Sequence, residues 1–138
     1  MRNSNFKYQP KSDTQLKSDF KRRLKAGKNG FSSFDDFKNW YYNQDKVCSY
    51  CKISEIDCQK IVCRGILTSA RFPVNGKPSR GKARGMWLEV DRKDTQLYSS
   101  ENCVLACYFC NNDKSDVFTF EQYKAFRENR YEYLKKLL

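Results

Sequence analysis

The chain contains no histidine. That absence excludes Ser-His-Asp and Cys-His catalysis, histidine-ligated zinc, and an imidazole base poised near neutral pH. Any metal must be held by Cys, Asp, Glu or Asn. No run of about 18 apolar residues is present, so no membrane-spanning helix is expected. The start, Met1 to Pro10, is polar and carries no apolar signal segment. No internal repeat is visible. Together these absences set the expectation of a soluble, cytoplasmic protein without a membrane partner. In that reducing compartment the seven cysteines, an odd number, argue for thiolate metal ligands before disulfides.

Acidic side chains are scarce as well: 16 Asp and Glu stand against 27 Lys and Arg, a net charge of +11 over 138 residues. Such a skew makes a polyanion the expected partner, because Lys and Arg displace condensed counterions from phosphates. Two stretches concentrate the charge. One is Lys17, Lys21, Arg22, Arg23, Lys25 and Lys28; the other is Lys77, Arg80, Lys82 and Arg84, in a segment broken by Gly76, Pro78, Gly81 and Gly85. A membrane surface fits the first stretch less well, since only Leu16, Phe20 and Leu24 supply an apolar face.

The length suits one domain with a thin core, of the kind that commonly adds a metal. Residues 1–12, polar and rich in Asn, Ser and Lys, read as a flexible arm, and 13–138 as a single domain. Leu16, Phe20 and Leu24 predict a helix over 13–26. A second helix is expected after Ser33, which caps it with Asp36 at the third position and with Phe34, Phe37, Trp40 and Tyr41 on one face. N-terminal helices thus span 13–44 and a core region 45–118. Residues 61–67 are expected as a strand and 74–85 as an exposed loop. Met86–Asp91 alternates as a strand should, with Leu88 and Val90 on one face and Trp87, Glu89 and Asp91 on the other. A short strand covers Cys103–Ala106. Thr119 and Gln122 form a capping box for a long final helix, 119–138, with Tyr123, Phe126, Tyr131 and Leu134 as its buried stripe.

Cys48-Ser-Tyr-Cys51 and Cys107-Tyr-Phe-Cys110 share a two-residue spacing, which lets both sulfurs of a turn reach one tetrahedral ion. Random placement of seven cysteines gives about 0.35 such pairs, so two are not readily chance. Four thiolates without histidine define a closed structural zinc site, a crosslink between distant segments. Cys58, Cys63 and Cys103 are spare and expected in the core, although Cys58 and Cys63 form a pair that competes for zinc.

The stretch Leu88-Glu-Val-Asp91-Arg92-Lys93-Asp94, then Tyr98, then Glu101-Asn102-Cys-Val-Leu-Ala-Cys107-Tyr-Phe-Cys110-Asn111-Asn-Asp-Lys114 resembles the HNH endonuclease family. Its pattern is Cys-x2-Cys, an Asp-His step closing a strand, Asn, then Cys-x2-Cys-Asn-x2-Lys. The match covers about residues 45–118. It implies an α+β chain with a ββα-metal core around a four-cysteine zinc knuckle. Asp91 at the end of a strand and Asn111 at the opening of a helix would offer a carboxylate and an amide oxygen to Mg²⁺ or Mn²⁺, which keeps its other positions for water and phosphate. By the same resemblance Asn102 braces the loop between the strands, and Lys114 contacts phosphate or holds the helix start.

The chain departs from that pattern at the general base. Arg92 stands where the family has histidine, and a guanidinium with a pKa above about 12 accepts no proton. Arg92 is suited to clamping phosphate or stabilising transition-state charge. Water activation then falls to Glu89, Asp94, Tyr98 or metal-bound hydroxide, and Lys93 would need a depressed pKa. The expected function is a metal-dependent endonuclease hydrolysing phosphodiesters in DNA, most naturally the duplex, with Lys21, Arg22, Arg23, Lys77, Arg80, Lys82, Arg84 and Lys114 on the backbone. The alternative is a non-catalytic, nucleic-acid-binding zinc module with a lapsed HNH site. A protein-interaction zinc domain is a third reading.

Overall fold

The computed structural model describes residues 6–127 and 130–138. Its elements, in order, are α1 (Asp13–Lys25), α2 (Phe34–Tyr42), α3 (Glu55–Cys63), β1 (Glu89–Arg92), β2 (Cys103–Ala106), α4 (Tyr108–Lys114), α5 (Phe120–Phe126) and α6 (Arg130–Leu137). Serine or threonine side chains start several of them by accepting free backbone amides. Ser12 and Gln15 close a capping box on α1, Ser33 accepts from the Asp36 amide at 3.1 Å, and Thr119 and Gln122 close a second box on α5.

Helices α1 and α2 pack through aromatic rings, with Phe20, Phe31, Phe34, Phe37 and Trp40 in edge and stacked contacts. Phe37 and Tyr41 are buried, as a core role requires, whereas Leu24, expected on the inner face of α1, is 56% exposed. Strands β1 and β2 form an antiparallel pair in which Glu89 faces Ala106, Val90 faces Leu105, Asp91 faces Val104 and Arg92 faces Cys103. The chain turns from β2 directly into α4, whose cap is Cys107. This ββα unit packs with the four cysteines of the two Cys-x2-Cys turns in one buried cluster that also includes Leu16, Phe37, Tyr50, Ile53 and Leu88.

Several expectations are corrected. Residues 61–67 are not a strand: α3 occupies 55–63, capped by Ser54 on the Asp57 amide at 3.1 Å. A short apolar run such as Ile61-Val62-Cys63 fits either element, and the Ser-x-x-Asp signal before it decides for helix. Strand β1 begins at Glu89 rather than Met86, because the Leu88 amide donates to the buried Glu55 carboxylate at 2.9 Å instead of to a neighbouring strand. Asn111 is the fourth residue of α4, not its opening.

The long C-terminal helix is instead two short ones, α5 ending at Phe126 and α6 starting at Arg130, with Arg127 outside helical geometry. Tyr123 and Leu134 are both buried. Their spacing of eleven residues is about three helical turns, so the apolar stripe reads alike for one helix or two. The Phe126 and Tyr131 side chains lie outside what is described. Of the expected arm, residues 1–5 lie outside the described residues. The next segment is tied down: Tyr8 donates to Glu55, the Gln9 backbone exchanges two hydrogen bonds with Gln59, and Trp87 Nε1 donates to the Gln9 carbonyl at 2.8 Å.

Candidate metal centre and active-site pocket

The first Cys-x2-Cys turn is a tight knuckle. The Cys48 amide donates to Ile53 and the Lys52 amide to Cys48, with Lys52 in the left-handed region at φ 70°. The Ser49 amide donates to the Leu105 carbonyl of β2 at 2.8 Å, which brings the knuckle against the second turn. Cys48, Cys51, Cys107 and Cys110 are buried, with all four sulfurs within 4.8 Å of one another. Cys51 Sγ and Cys107 Sγ are 3.7 Å apart. Zinc–sulfur bonds of about 2.3 Å at tetrahedral angles require about 3.8 Å between sulfurs, so the donor set and its spacing fit zinc. Hydrogen bonds from Cys107, Cys110 and Cys51 lower the Cys48 thiol from the ordinary thiol range, and zinc would take all four sulfurs as thiolates. The spare cysteines are not ligands in this cluster. Cys58 and Cys103 are buried, and burial pushes the Cys103 thiol up to about 11 and that of Cys58 well above its ordinary value.

Beside this knuckle, α4 lies across β1. Asn111 and Lys114, one turn apart on α4, meet Glu89 and Asp91, which alternate onto one face of β1. Asn111 Nδ2 donates to Glu89 Oε1 at 2.8 Å, and Glu89 also receives both arms of Arg84, at 2.9 and 2.6 Å. Asp91 is 6% exposed. Its Oδ1 is 3.3 Å from the Lys114 ammonium, and its Oδ2 accepts from the Tyr50 hydroxyl. Burial raises the Asp91 carboxyl above the usual range, against the pull of Tyr50 and Lys114.

Asp91 and Asn111 both line an open pocket of about 270 Å³, together with Arg92, Asp94, Tyr98 and Asp116. The Arg92 guanidinium donates to the Thr95 and Gln96 carbonyls at 3.2 and 3.1 Å and lies 4.8 Å from the Tyr98 ring centroid. Asp94 is exposed and accepts the Gln96 amide at 2.8 Å. Asn102 donates to the Leu97 carbonyl at 3.1 Å across the loop between the strands.

Lys114 is 2% exposed; it lies in the lining of the same pocket, and its ammonium goes to Asp91 and to the Arg92 carbonyl at 2.9 Å. Lys21, Arg22, Lys77 and Arg80 are exposed, Lys82 is half-buried with its ammonium at the Ala70 carbonyl, and Arg84 is bound to Glu89. Tyr50 was not anticipated as a partner of Asp91, nor Asp116 as a pocket residue. The only sequence signal for Tyr50 is an aromatic ring placed inside a Cys-x2-Cys turn.

The functional region is thus an antiparallel strand pair, a crossing helix and a four-cysteine knuckle, with a carboxylate and a carboxamide at the crossing. The chain is similar in structure to the rare-cutting HNH restriction endonuclease PacI, described as showing an extraordinary mechanism of DNA perturbation. The TM-score is 0.66 at 22% identity, covering 95% of this chain and 87% of that one. What is shared at that identity is the fold. No protein-family model and no curated protein matches the sequence.

Proposed function

We propose that the chain is a metal-dependent endonuclease that hydrolyses phosphodiester bonds in double-stranded DNA, with structural zinc on the four cysteines and Mg²⁺ or Mn²⁺ at Asp91 and Asn111. The observation that carries this reading is the convergence of Asp91 from β1 and Asn111 from α4 on one open pocket beside the cysteine cluster. With its amide nitrogen committed to Glu89, Asn111 has its amide oxygen to offer, a hard donor like the Asp91 carboxylate. A divalent ion there supplies Lewis acidity toward the scissile phosphate and charge for the leaving oxygen.

The remaining chemistry is assigned to the chain's own groups. Arg92, fixed by two carbonyls and the Tyr98 ring, presents a permanent positive charge to the phosphate. Glu89 is occupied by Arg84 and Asn111, which leaves two exposed carboxylates in the pocket, Asp94 and Asp116; Asp94, on the same loop as Arg92, is the group assigned to activate water, with Tyr98 as the second choice. Lys77, Arg80 and Lys82 of the loop and Lys21 and Arg22 of α1 hold backbone phosphates, contacts that position a duplex without reading its sequence.

A specific observation supports the rival, a DNA-binding module without catalysis: both Asp91 oxygens are already engaged, and Arg92 stands in the place of a base. Plasmid nicking with Mg²⁺ or Mn²⁺ separates the two. Nicking by the wild type, its loss in Asp91→Ala and its fall by about 10²-fold or more in Asp94→Asn are expected. Equal nicking by wild type and Asp91→Ala would sink the mechanism, and salt-dependent DNA binding without nicking would favour the module.

A further inference from the structure

A second cavity, about 410 Å³, adjoins the Asp91 pocket, and the two share Val90, Tyr98 and Asn111 as a common wall. Its other side belongs to α1 and the segments before α1 and β1. Lys11, Arg22, Arg23 and Arg84 bring four cations to it, against the carboxylates of Asp19 and Glu89. Three of those cations are paired with the two carboxylates. Lys11 and Arg22 share Asp19, at 2.6 and 3.2 Å, and Arg84 is bound to Glu89.

Arg23 differs from them. Its guanidinium lies 4.6 Å from the Tyr98 ring centroid and 5.7 Å from that of Phe37, and its Nη1 is buried with no hydrogen-bond acceptor. A guanidinium held by two rings keeps its charge and little of its freedom, and among the described residues no carboxylate pairs with this one, so its charge is available to an anion in the cavity it lines. Arg92 lies against the same Tyr98 ring, at 4.8 Å, and lines the Asp91 pocket. One tyrosine thus separates two guanidinium groups, each in its own chamber.

We infer that the cavity between α1 and β1 is a second phosphate site, anchored by Arg23, which takes the phosphate next to the phosphodiester held at Asp91. The inference rests on the Asp91 pocket being a phosphodiester site, and it deepens that reading. The substrate class becomes a strand that spans both chambers, with Tyr98 between consecutive phosphates and Arg23 as a binding residue outside the ββα unit.

The test uses the zinc-loaded full chain at low salt, with Ca²⁺, and three probes: the dinucleotide TpT, and TpT carrying a terminal 5′- or 3′-phosphate. Affinities are read by NMR titration. In the wild type a terminal phosphate at one end tightens binding about tenfold or more, the range of a charge-assisted hydrogen bond. Arg23→Gln loses that gain, and Lys136→Gln, which removes the same charge from exposed surface on α6, keeps it. The wild-type Arg23 Nε–Hε resonance supplies a readout that needs no variant: it shifts with the phosphorylated dinucleotide and not with TpT. An equal gain in Arg23→Gln and wild type, no gain in the wild type, or an unmoved Arg23 resonance overturns the proposal. Loss of plasmid nicking with an Arg23-dependent gain intact would refute the nuclease reading alone, and nicking with no such gain would refute the second site alone.

Discussion

Replacing Lys114 by methionine is the sharpest probe of how the site is built. The Lys114 and Asp91 side chains are 3% and 7% exposed and 3.3 Å apart. At that separation two unit charges attract by about 5 kcal/mol at an effective dielectric of about 20. The desolvation of both ions opposes this with several kcal/mol each, so the pair contributes little net stability while either partner alone is a liability. Lys114→Met leaves Asp91 buried with only the Tyr50 hydroxyl, and Asp91→Asn leaves the ammonium with only the Arg92 carbonyl. Each single change is expected to cost about 3 kcal/mol, the low end of the range for an orphaned buried charge because one hydrogen bond survives in both. The double variant, with no buried charge, is expected within about 1 kcal/mol of wild type, a coupling of several kcal/mol. Urea unfolding at pH 7 with zinc present, followed by circular dichroism, measures all four proteins. Additive single effects, or a loss below about 1 kcal/mol for Lys114→Met, would refute the buried ion pair.

Three further outcomes follow from other parts of the molecule. Elemental analysis should find about one zinc per chain, retained in Cys58→Ser and lost in Cys110→Ser together with cooperative unfolding, since an ion on the four cysteines would tie the knuckle after α2 to the start of α4. Gly30→Ala should destabilise by about 1–3 kcal/mol in the same urea assay, because its new Cβ would stand 2.8 Å from the Tyr98 carbonyl oxygen that the Gly30 amide binds. Burial raises the Glu55 carboxyl above its ordinary 4.5, against hydrogen bonds from Tyr8 and Leu88. The folded state therefore holds that proton more tightly than the unfolded one, and the Glu55 contribution weakens as pH rises from 4.5 through the raised value. Wild type minus Glu55→Gln, a difference in which the cysteines titrate alike, should show that slope as pH rises above 4.5; a flat difference would contradict it.

What could be read from the sequence divides by the distance over which the physics acts. Ser33 with Asp36, and Thr119 with Gln122, sit three residues apart and satisfy backbone amides locally, so those helix starts were legible. So was β2, and so were the cysteine pairs, whose spacing is a property of single turns. Failures came where a remote group took over a local preference. Leu88 alternates as a strand residue should, but its amide is claimed by Glu55, 33 positions away, and the strand starts late. The polar N-terminal segment has no apolar pattern to bury; it is held by hydrogen bonds from Trp87 and Gln59, 78 and 50 positions away, which composition cannot announce. The site shows the same division. Asp91 and Asn111 carry a recognisable pattern because β2 and one turn of α4 fix their relation within 20 residues. The hydrogen-bond and ion-pair partners of Asp91, Tyr50 and Lys114, lie 41 and 23 positions off. Lys114, four residues past the second Cys-x2-Cys turn, is brought onto Asp91 only because α4 crosses β1. Residue types thus marked where the candidate site lies, whereas the surroundings of Asp91 are set by packing between elements.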